Sequence, residues 1–458
     1  MANVRWLGGA AAVKQVTTVT IANTWATADT VTLTVGNKAL IVTIGAAFGV
    51  NDVAAALNAA INAADKTTGL IGSESRNVGG QEIPEFTDFS STVLGAVVTI
   101  TGNDAGKPFT ISASEVTAGT GTATSATATA ATGPNHADNA ANYQGGTLPV
   151  NNDVLYFDTG DVDCLYGLGY FRTGTIALTV SFSNDWTGQL GLPPVNVDGG
   201  YAEYRQRFFY FYGASSKTTT LSAGVLGNTD CGTLYLDYQG CVPAINLDVA
   251  RNADLSSPSV VIAGGAAGVI NLVTIKAGNV SIEPDDANTG SNEINFGAVV
   301  LGVAGGNNND LVVTIGANAV WDSTATLTVN SGQLYTPKSP TTNATEIKGG
   351  AVRLRGTSVA TTFGDFNVYN GGTLYPVYGA ECGAVNVFAG GTLDAREAQF
   401  AFTTSNGATA HPTSRIYDPA GDFLFCAATA LLTLPGGKLS DITHDLPAGR
   451  VVDMVTLA

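Results

Sequence analysis

Two acidic loops hold the residue types best suited to chemistry. "DTGDVD" offers Asp158, Asp161 and Asp163, and "EPDDANTGSNE" offers Glu283, Asp285, Asp286 and Glu293. Closely spaced carboxylates are the hard oxygen ligands that calcium takes, but neither loop follows the twelve-residue pattern of an EF-hand. Solvated turns are the main reading. Asp158, Asp161 and Asp163 stand as candidates for a structural calcium, and no other metal or cofactor is expected. Cutting a sugar polymer would need two carboxylates held roughly 5 to 10 Å apart in a groove. Most acids here fall in turns, so no catalytic residue is assigned and the chain is read as a non-enzyme.

Other motifs point away from catalysis. "GNDAGK" at 102–107 is one residue short of a phosphate-binding loop, and Pro108 stands where a magnesium-holding Ser or Thr belongs, so a hairpin turn is expected there. His136, His411 and His444 lie in unrelated contexts, with neither metal spacing nor a serine elbow nearby. Cys164, Cys231, Cys241, Cys382 and Cys426 form no CxxC and leave one over in any pairing, which suits buried thiols. Cys231 and Cys241 could still face each other across a turn.

The elements that must position these residues are mostly strands. The chain has 458 residues, 56 of them Gly, and only 12% are charged. Abundant Thr and Val favour pleated strands, while Gly and Asn supply the turns between them. A net charge of −17, from 20 basic and 37 acidic residues, would repel a phosphate backbone, so no nucleic-acid partner is expected. The opening "MANVRWLGGAAAVKQ" lacks an apolar run followed by a cleavage site, and "FLFCAATALLTL" at 423–434 is too short to span a bilayer. Synthesis in a cytoplasm without a signal peptide, and no membrane partner, are the expectations.

Residues 1–115 read as a small α+β domain. "QVTTVTIAN", "DTVTLTVGN" and "KALIVTIG" alternate as strands, with a hairpin at Gly36-Asn37. A helix follows, capped by Asn51 or Asp52, with Val53, Leu57, Ala60, Ile61 and Ala64 on one face. "STVLGAVVTITGNDAGKPFTISAS" reads as a hairpin around "GNDAG". The Ala/Thr/Ser/Gly-rich stretch 116–133 reads as a linker or an extended strand laid against something else.

From 134 to 410 short strands punctuated by Gly and Asn predict a long β-helix, or β-solenoid, with 411–458 as a C-terminal cap or oligomer interface. Gly371, Gly372, Thr373 and Leu374 are answered nineteen positions later by Gly390, Gly391, Thr392 and Leu393. Val280, Val299, Val320, Leu334, Val352, Leu374 and Leu393 mark apolar positions after turns, at separations centred near the roughly twenty residues of one solenoid coil. Gly371, Gly372, Gly390 and Gly391 are the expected corners, where paired glycines allow positive φ. Such a rod would be on the order of 60 to 70 Å long. In "YAEYRQRFFYFYG", Tyr204, Phe208, Tyr210 and Tyr212 would share one strand face, a candidate subunit interface or, alternatively, a stacking surface for a glycan.

"GPNHADNAANYQGGTLPVNNDVLYFDTGDVDCLYGL" (133–168) resembles the entry segment of β-helical proteins with the pattern Asn-x-x-Trp-x-x-x-x-Asn-Trp-x-Gly-Gly-x-x-Pro followed by Asp-x-Val-x-Phe. Asn142, Gly145, Gly146, Pro149, Asp153, Val154 and Phe157 match, and His136 and Tyr143 stand where the pattern has tryptophans that would plug the first coil. With "GLPPVNVDGGYAEYR" (191–205) and the opening segment, the likeness is to an uncharacterised group of phage and prophage-encoded β-helical structural proteins, over about the first 210 residues. The resemblance implies a virion component, a capsid decoration, head-fibre or tail-fibre protein, with the capsid shell as its expected partner. The apolar 423–434 segment, suited to a cap or subunit interface, favours a homo-oligomer, a trimer being the common arrangement for such rods. A tailspike-type enzyme acting on polysaccharide and a bacterial surface adhesion module are the alternatives.

Overall fold

Alternation in the first strands builds a layered N-terminal domain. The computed structural model describes residues 2–35, 38–46, 48–63, 73–74, 89–172, 178–183, 185–191, 209–210, 218–221, 234–238, 244–248, 260–264, 269–284, 294–307, 311–316, 319–337, 339–355, 363–378, 381–397, 403–404, 408–420, 432–435 and 437–447. The chain is mainly β. Its first elements are β1 (Asn3–Arg5), β2 (Val16–Ala22), β3 (Thr30–Val35), β4 (Lys38–Thr43), α1 (Val50–Ala63), β5 (Ser73–Glu74), β6 (Phe89–Leu94), β7 (Val97–Gly102), β8 (Ile111–Val116) and β9 (Thr122–Thr129). Two four-stranded antiparallel sheets, β6-β7-β2-β9 and β5-β4-β3-β8, share one core with α1. Val19, Ile21, Val31 and Leu33 from the strands meet Val53, Leu57 and Ile61 from the helix there.

Several expectations need correction. The helix begins at Val50, so Asn51 and Asp52 sit inside its first turn; Asp52 Oδ2 accepts from the Gly49 N–H at 2.8 Å, the reach-back half of a capping box. The hairpin lies at Gly95-Ala96 between β6 and β7, where Gly95 takes φ +59°, and not around "GNDAG". That loop instead carries the chain from β7 in one sheet to β8 in the other. Within 116–133 the extended-strand alternative holds: Thr122–Thr129 is the edge strand β9, paired antiparallel with β2. Its backbone bonds need no apolar side chains, which is why an Ala/Thr run suffices. The N-terminal domain therefore reaches β9, while β1 belongs elsewhere. The Gly36-Asn37 turn and Ala64 lie outside the described residues; Val35 and Lys38 on either side of that turn are paired.

Beyond β9 the pairing becomes parallel. β1 pairs with β10 (Val154–Phe157), and β10 with β11 (Thr179–Phe182). From Phe209–Tyr210 to Thr443–His444, strands then alternate between two parallel sheets, here ladders A and B, except Glu381–Cys382 and Thr403–Thr404, which pair with each other. In ladder A, Val280, Val313, Leu334, Val352, Leu374, Leu393 and Ile416 are successive register partners. In ladder B the matching column is Ile275, Leu301, Val329, Ile347, Val368, Val387 and Ala410. All of these are buried, in one apolar core that runs from Val4 and Trp6 to Leu446.

The two columns explain the irregular spacing of the sequence markers. Val280, Leu334, Val352, Leu374 and Leu393 belong to ladder A, whereas Val299 and Val320 pair in ladder B. Val313 is the ladder A residue that the marker series lacked. The strand Val269–Pro284 bends midway and contributes to both ladders. Parallel pairing also continues past 410, through Arg415–Tyr417, Leu432–Thr433 and Thr443–His444, with Ile416 extending the ladder A column and Leu432 lying over Ala408 in ladder B. These described strands past 410 thus continue the two ladders; 421–431 and 448–458 lie outside the described residues.

At the corners the two glycines of each pair have different tasks. Gly371 and Gly390 take φ of +82° and +75°, where a Cβ is strained. At Gly372 and Gly391 an added Cβ would come 2.4 Å from the carbonyl oxygens of Ile347 and Val368, so these are glycine because the preceding turn passes so close. Leu374 is fully buried. Leu374→Ala should cost about 2–5 kcal/mol of unfolding free energy, measured by denaturant titration; no change in midpoint would contradict its place in the column.

Asp29, buried, accepts from Thr117 Oγ1 at 2.6 Å, Ala26 N at 2.7 Å and Ala118 N at 2.8 Å. The Thr117 hydroxyl first, and then the two amides, hold its carboxyl below the ordinary range. The folded form therefore binds its proton less tightly than the unfolded form. The stabilisation is full above the ordinary carboxylate range and is lost as pH falls through the folded value. Asp29→Asn should lower the melting temperature at neutral pH and flatten its decline on acidification.

Candidate functional site

Where the N-terminal segment meets the first parallel strands, aromatic rings close the end of the core. β1 places Trp6 beside Tyr143, ring centroids 5.3 Å apart and nearly perpendicular, and 5.9 Å from Phe157. Phe157 stacks on Phe182 at 4.9 Å and lies 4.8 Å from Trp186. Both indole N–H groups, Trp6 Nε1 at 3.0 Å and Trp186 Nε1 at 3.2 Å, donate to one acceptor, the Val162 carbonyl. Burial drives the Tyr143 phenol well above its usual pKa, and its hydroxyl donates to Ala137 O at 2.6 Å.

Asn142 fastens this plug. It is fully buried; Nδ2 donates to Gly133 O at 2.8 Å and His136 O at 2.7 Å, and Oδ1 accepts from Ala10 N at 2.8 Å. Its own carbonyl accepts from Leu7 N and Gly8 N. Gly145 and Gly146 take φ of +84° and +66°, and Pro149 O accepts from Tyr170 Oη at 2.9 Å. Asp153 binds Ala2 N at 2.7 Å through Oδ1 and Val150 N at 3.0 Å through Oδ2. Of the matched residues, Asn142 ties the segment after β1 to the loop ahead of β10, and Asp153 ties Ala2, just before β1, to the start of β10. Trp6 and Trp186 supply indoles in the plug that Tyr143 and His136 do not. The alternation Asn3-Val4-Arg5-Trp6 was the signal for Trp6; its partner strand lies some 150 residues on, at a register no local pattern encodes.

His136 joins the two domains. Its ring is buried, with Nε2 2.8 Å from Gly106 O and the ring centroid 5.0 Å from that of Tyr166. The hydrogen bond from His136 holds the exposed Asp138 carboxyl below its usual range. An open pocket of about 240 Å³ adjoins this contact, lined by Asp104, Gly106, Lys107, Pro134, Asn135 and Tyr166. The "GNDAGK" loop forms one wall, but the Gly106 N–H donates to Val13 O and so does not face the pocket as an anion donor.

The remaining sequence candidates separate. Asp158 pairs with Arg5 at 3.1 Å, Asp163 accepts from Gln189 N at 2.8 Å, and Asp161 is exposed. Among the described residues, no group of three or more His, Cys, Asp or Glu is placed to hold a metal ion. Asp285, Asp286 and Glu293 lie outside the described residues. So do Tyr204, Phe208 and Tyr212; Tyr210 is placed only as a strand residue paired with Asp237. Cys164 and Cys382 are buried and form no disulfide, and the pKa of Cys164 is raised well above the usual by burial. Cys231, Cys241 and Cys426 lie outside the described residues. His411 and His444 sit in ladder B and ladder A territory, away from the setting of His136. Among the described residues, no helix is long and apolar enough to cross a membrane.

The outward faces of the ladders carry ordered rows of planar groups that the sequence reading missed. On ladder A, Tyr335, Arg353 and Tyr375 are successive register partners. Arg353 lies 4.1 Å above the Tyr375 ring, Arg355 4.5 Å above Tyr335 and Arg396 4.7 Å above Tyr417. Asp394 receives two hydrogen bonds from the Arg396 guanidinium; burial alone would raise its pKa, and these bonds outweigh that and lower it. On ladder B, Glu346, Asn367 and Asn386 form a side-chain ladder, Asn367 Nδ2 to Glu346 Oε1 at 2.7 Å and Asn386 Nδ2 to Asn367 Oδ1 at 2.9 Å. Beside it Tyr369, Phe388 and His411 stack at 4.7 and 4.9 Å.

No family model matches the chain, and no curated protein matches it. Trp6→Ala should destabilise the protein by about 3–5 kcal/mol in a denaturant titration followed by circular dichroism. Trp6→Phe should recover part of that loss; equal stability of all three forms would contradict the plug.

Proposed function

We propose that this chain is a non-enzymatic structural protein of a phage virion, exposed on the particle as a capsid decoration or fibre protein. In this reading the alternating parallel strands are the coils of a β-solenoid, the body of a homo-oligomer, a trimer in the commonest arrangement of such rods. The observation that carries it is the uninterrupted succession of parallel register partners from Leu234 to His444, closed at its first end by the Trp6–Tyr143–Phe157 plug. A single extended core with a distinct domain at one end suits attachment through that domain and projection of the rest. The entry-segment likeness supports the same assignment, because two of its matched residues, Asn142 and Asp153, tie the segment around β1 to the loop ahead of β10. The capsid shell is the proposed partner and the virion the proposed location, after synthesis in the host cytoplasm.

Particles purified from the host that carries this gene should contain the protein by mass spectrometry. Copies on the order of hundreds per particle would mean decoration, and a handful would mean a fibre; electron microscopy would place it. Particles lacking the protein would overturn the reading.

A further inference from the structure

The first sheet of the N-terminal domain ends on an open edge. β9 is the last strand in the order β6-β7-β2-β9, and among the described residues no strand pairs with its outer side. Between Val116 and Gly133 the sequence has no Lys, Arg, Asp, Glu or Pro, the residues with which natural sheets block such an edge. Ala126 to Ala130 are exposed without a break. The direction of the free backbone groups follows from the neighbouring strands. Ile21 gives its N–H to Ala96 O, on the β7 side, and Ile21 is the register partner of Ala123. Ala123 therefore turns its own N–H away from β2, where Glu115 Oε2 accepts it at 3.4 Å. By strand alternation Ser125 and Thr127, opposite Val19 and Thr17, also turn outward. Past Thr127 the register shifts and leaves Ala128 as the extra residue of a bulge. The Glu115 side chain at one end and the bulge at the other thus frame a window, Ser125–Thr127, whose outward N–H and C=O groups are unpaired among the described residues.

We infer that this window pairs with the same window of a second copy, antiparallel about a two-fold axis through Ala126. Ser125 of each copy then exchanges both backbone bonds with Thr127 of the other. Two features select a second copy over a strand of another protein. A long straight strand would meet the Glu115 side chain at one end of the window. A second copy instead brings its bulge to that level, because the two-fold axis sets Ala123 opposite Thr129, and there its strand bends away. The facing side chains are Ala, Ser and Thr only, so like surfaces meet without like charges. The net charge of −17 opposes the contact only from a distance, where salt screens it. The contact is isologous: it uses the same edge of both copies and closes at two. It lies outside the solenoid, so it goes beyond the oligomer proposed above and does not depend on it.

Ala126→Cys in the full chain tests the register directly. Ala126 is exposed and sits opposite itself, where partners of a non-bonded antiparallel pair have Cα atoms about 4.5 Å apart. Mild oxidation should link two chains through position 126, identified by peptide mass spectrometry. Ala130→Cys, equally exposed but away from the axis, should give at least about tenfold less of the linked dimer. Ala126→Lys sets like charges across the axis; it should weaken self-association several-fold in sedimentation velocity, with unchanged circular dichroism. Added salt should strengthen the self-association of the unaltered chain, since only the long-range repulsion is screened. Equal cross-linking at positions 126 and 130, or none at either, would overturn the inference. Self-association untouched by Ala126→Lys, together with loss of that variant from purified particles, would assign the edge to a strand of another protein and also overturn it.

Discussion

Every strand after β9 depends on its parallel neighbours for both its backbone bonds and its burial. Among the described residues no strand there covers its own apolar side chains; Phe366–Val368 and Val385–Val387 are three-residue strands. They persist because Val368 lies over Ile347 and under Val387, and because the N–H groups of Tyr369 and Phe388 bond to the carbonyls of Ile347 and Val368. The cost of ordering each turn is met by contacts with the turns on either side, so stability is a property of the stack.

That constraint dictates the rest. A column must be closed where it begins, and the aromatic cluster around Trp6 does this with both indole N–H groups satisfied by one carbonyl. The chain must turn within a residue or two between ladders, and the Gly371-Gly372 and Gly390-Gly391 pairs divide that work between positive φ and close approach. Outward side chains are brought into rows about 4.8 Å apart by the pairing itself. Rows of tyrosine, arginine and asparagine thus follow from register, and their chemistry is repeated along one direction.

The mainly β character was legible in the Thr, Val, Gly and Asn content, and the repeated Gly-Gly-Thr-Leu phrase located true register partners, Leu374 and Leu393. The helix was legible from Val53, Leu57 and Ile61. What was not legible depended on distant partners. Thr122–Thr129 could be read as an extended strand, but its partner, β2, lies far back along the chain. Trp6 joins the plug through β10, far along the chain. Val299 and Val320 looked equivalent to Val280 because both ladders use the same residue types, and sequence spacing does not say which sheet a valine enters. The Tyr–Arg row spans four strands, and single strands show only one or two of its members.

The central claim is that consecutive turns pair in parallel, residue over residue, and engineered cysteines test it most directly. Asn367 and Asn386 are outward register partners on ladder B. Asn367→Cys/Asn386→Cys should close a disulfide under mild oxidation, identified by peptide mass spectrometry, since paired Cα atoms fall within bridging range. Asn367→Cys/Phe388→Cys, two residues out of register, should not. Equal cross-linking of both pairs, or of neither, would contradict the account.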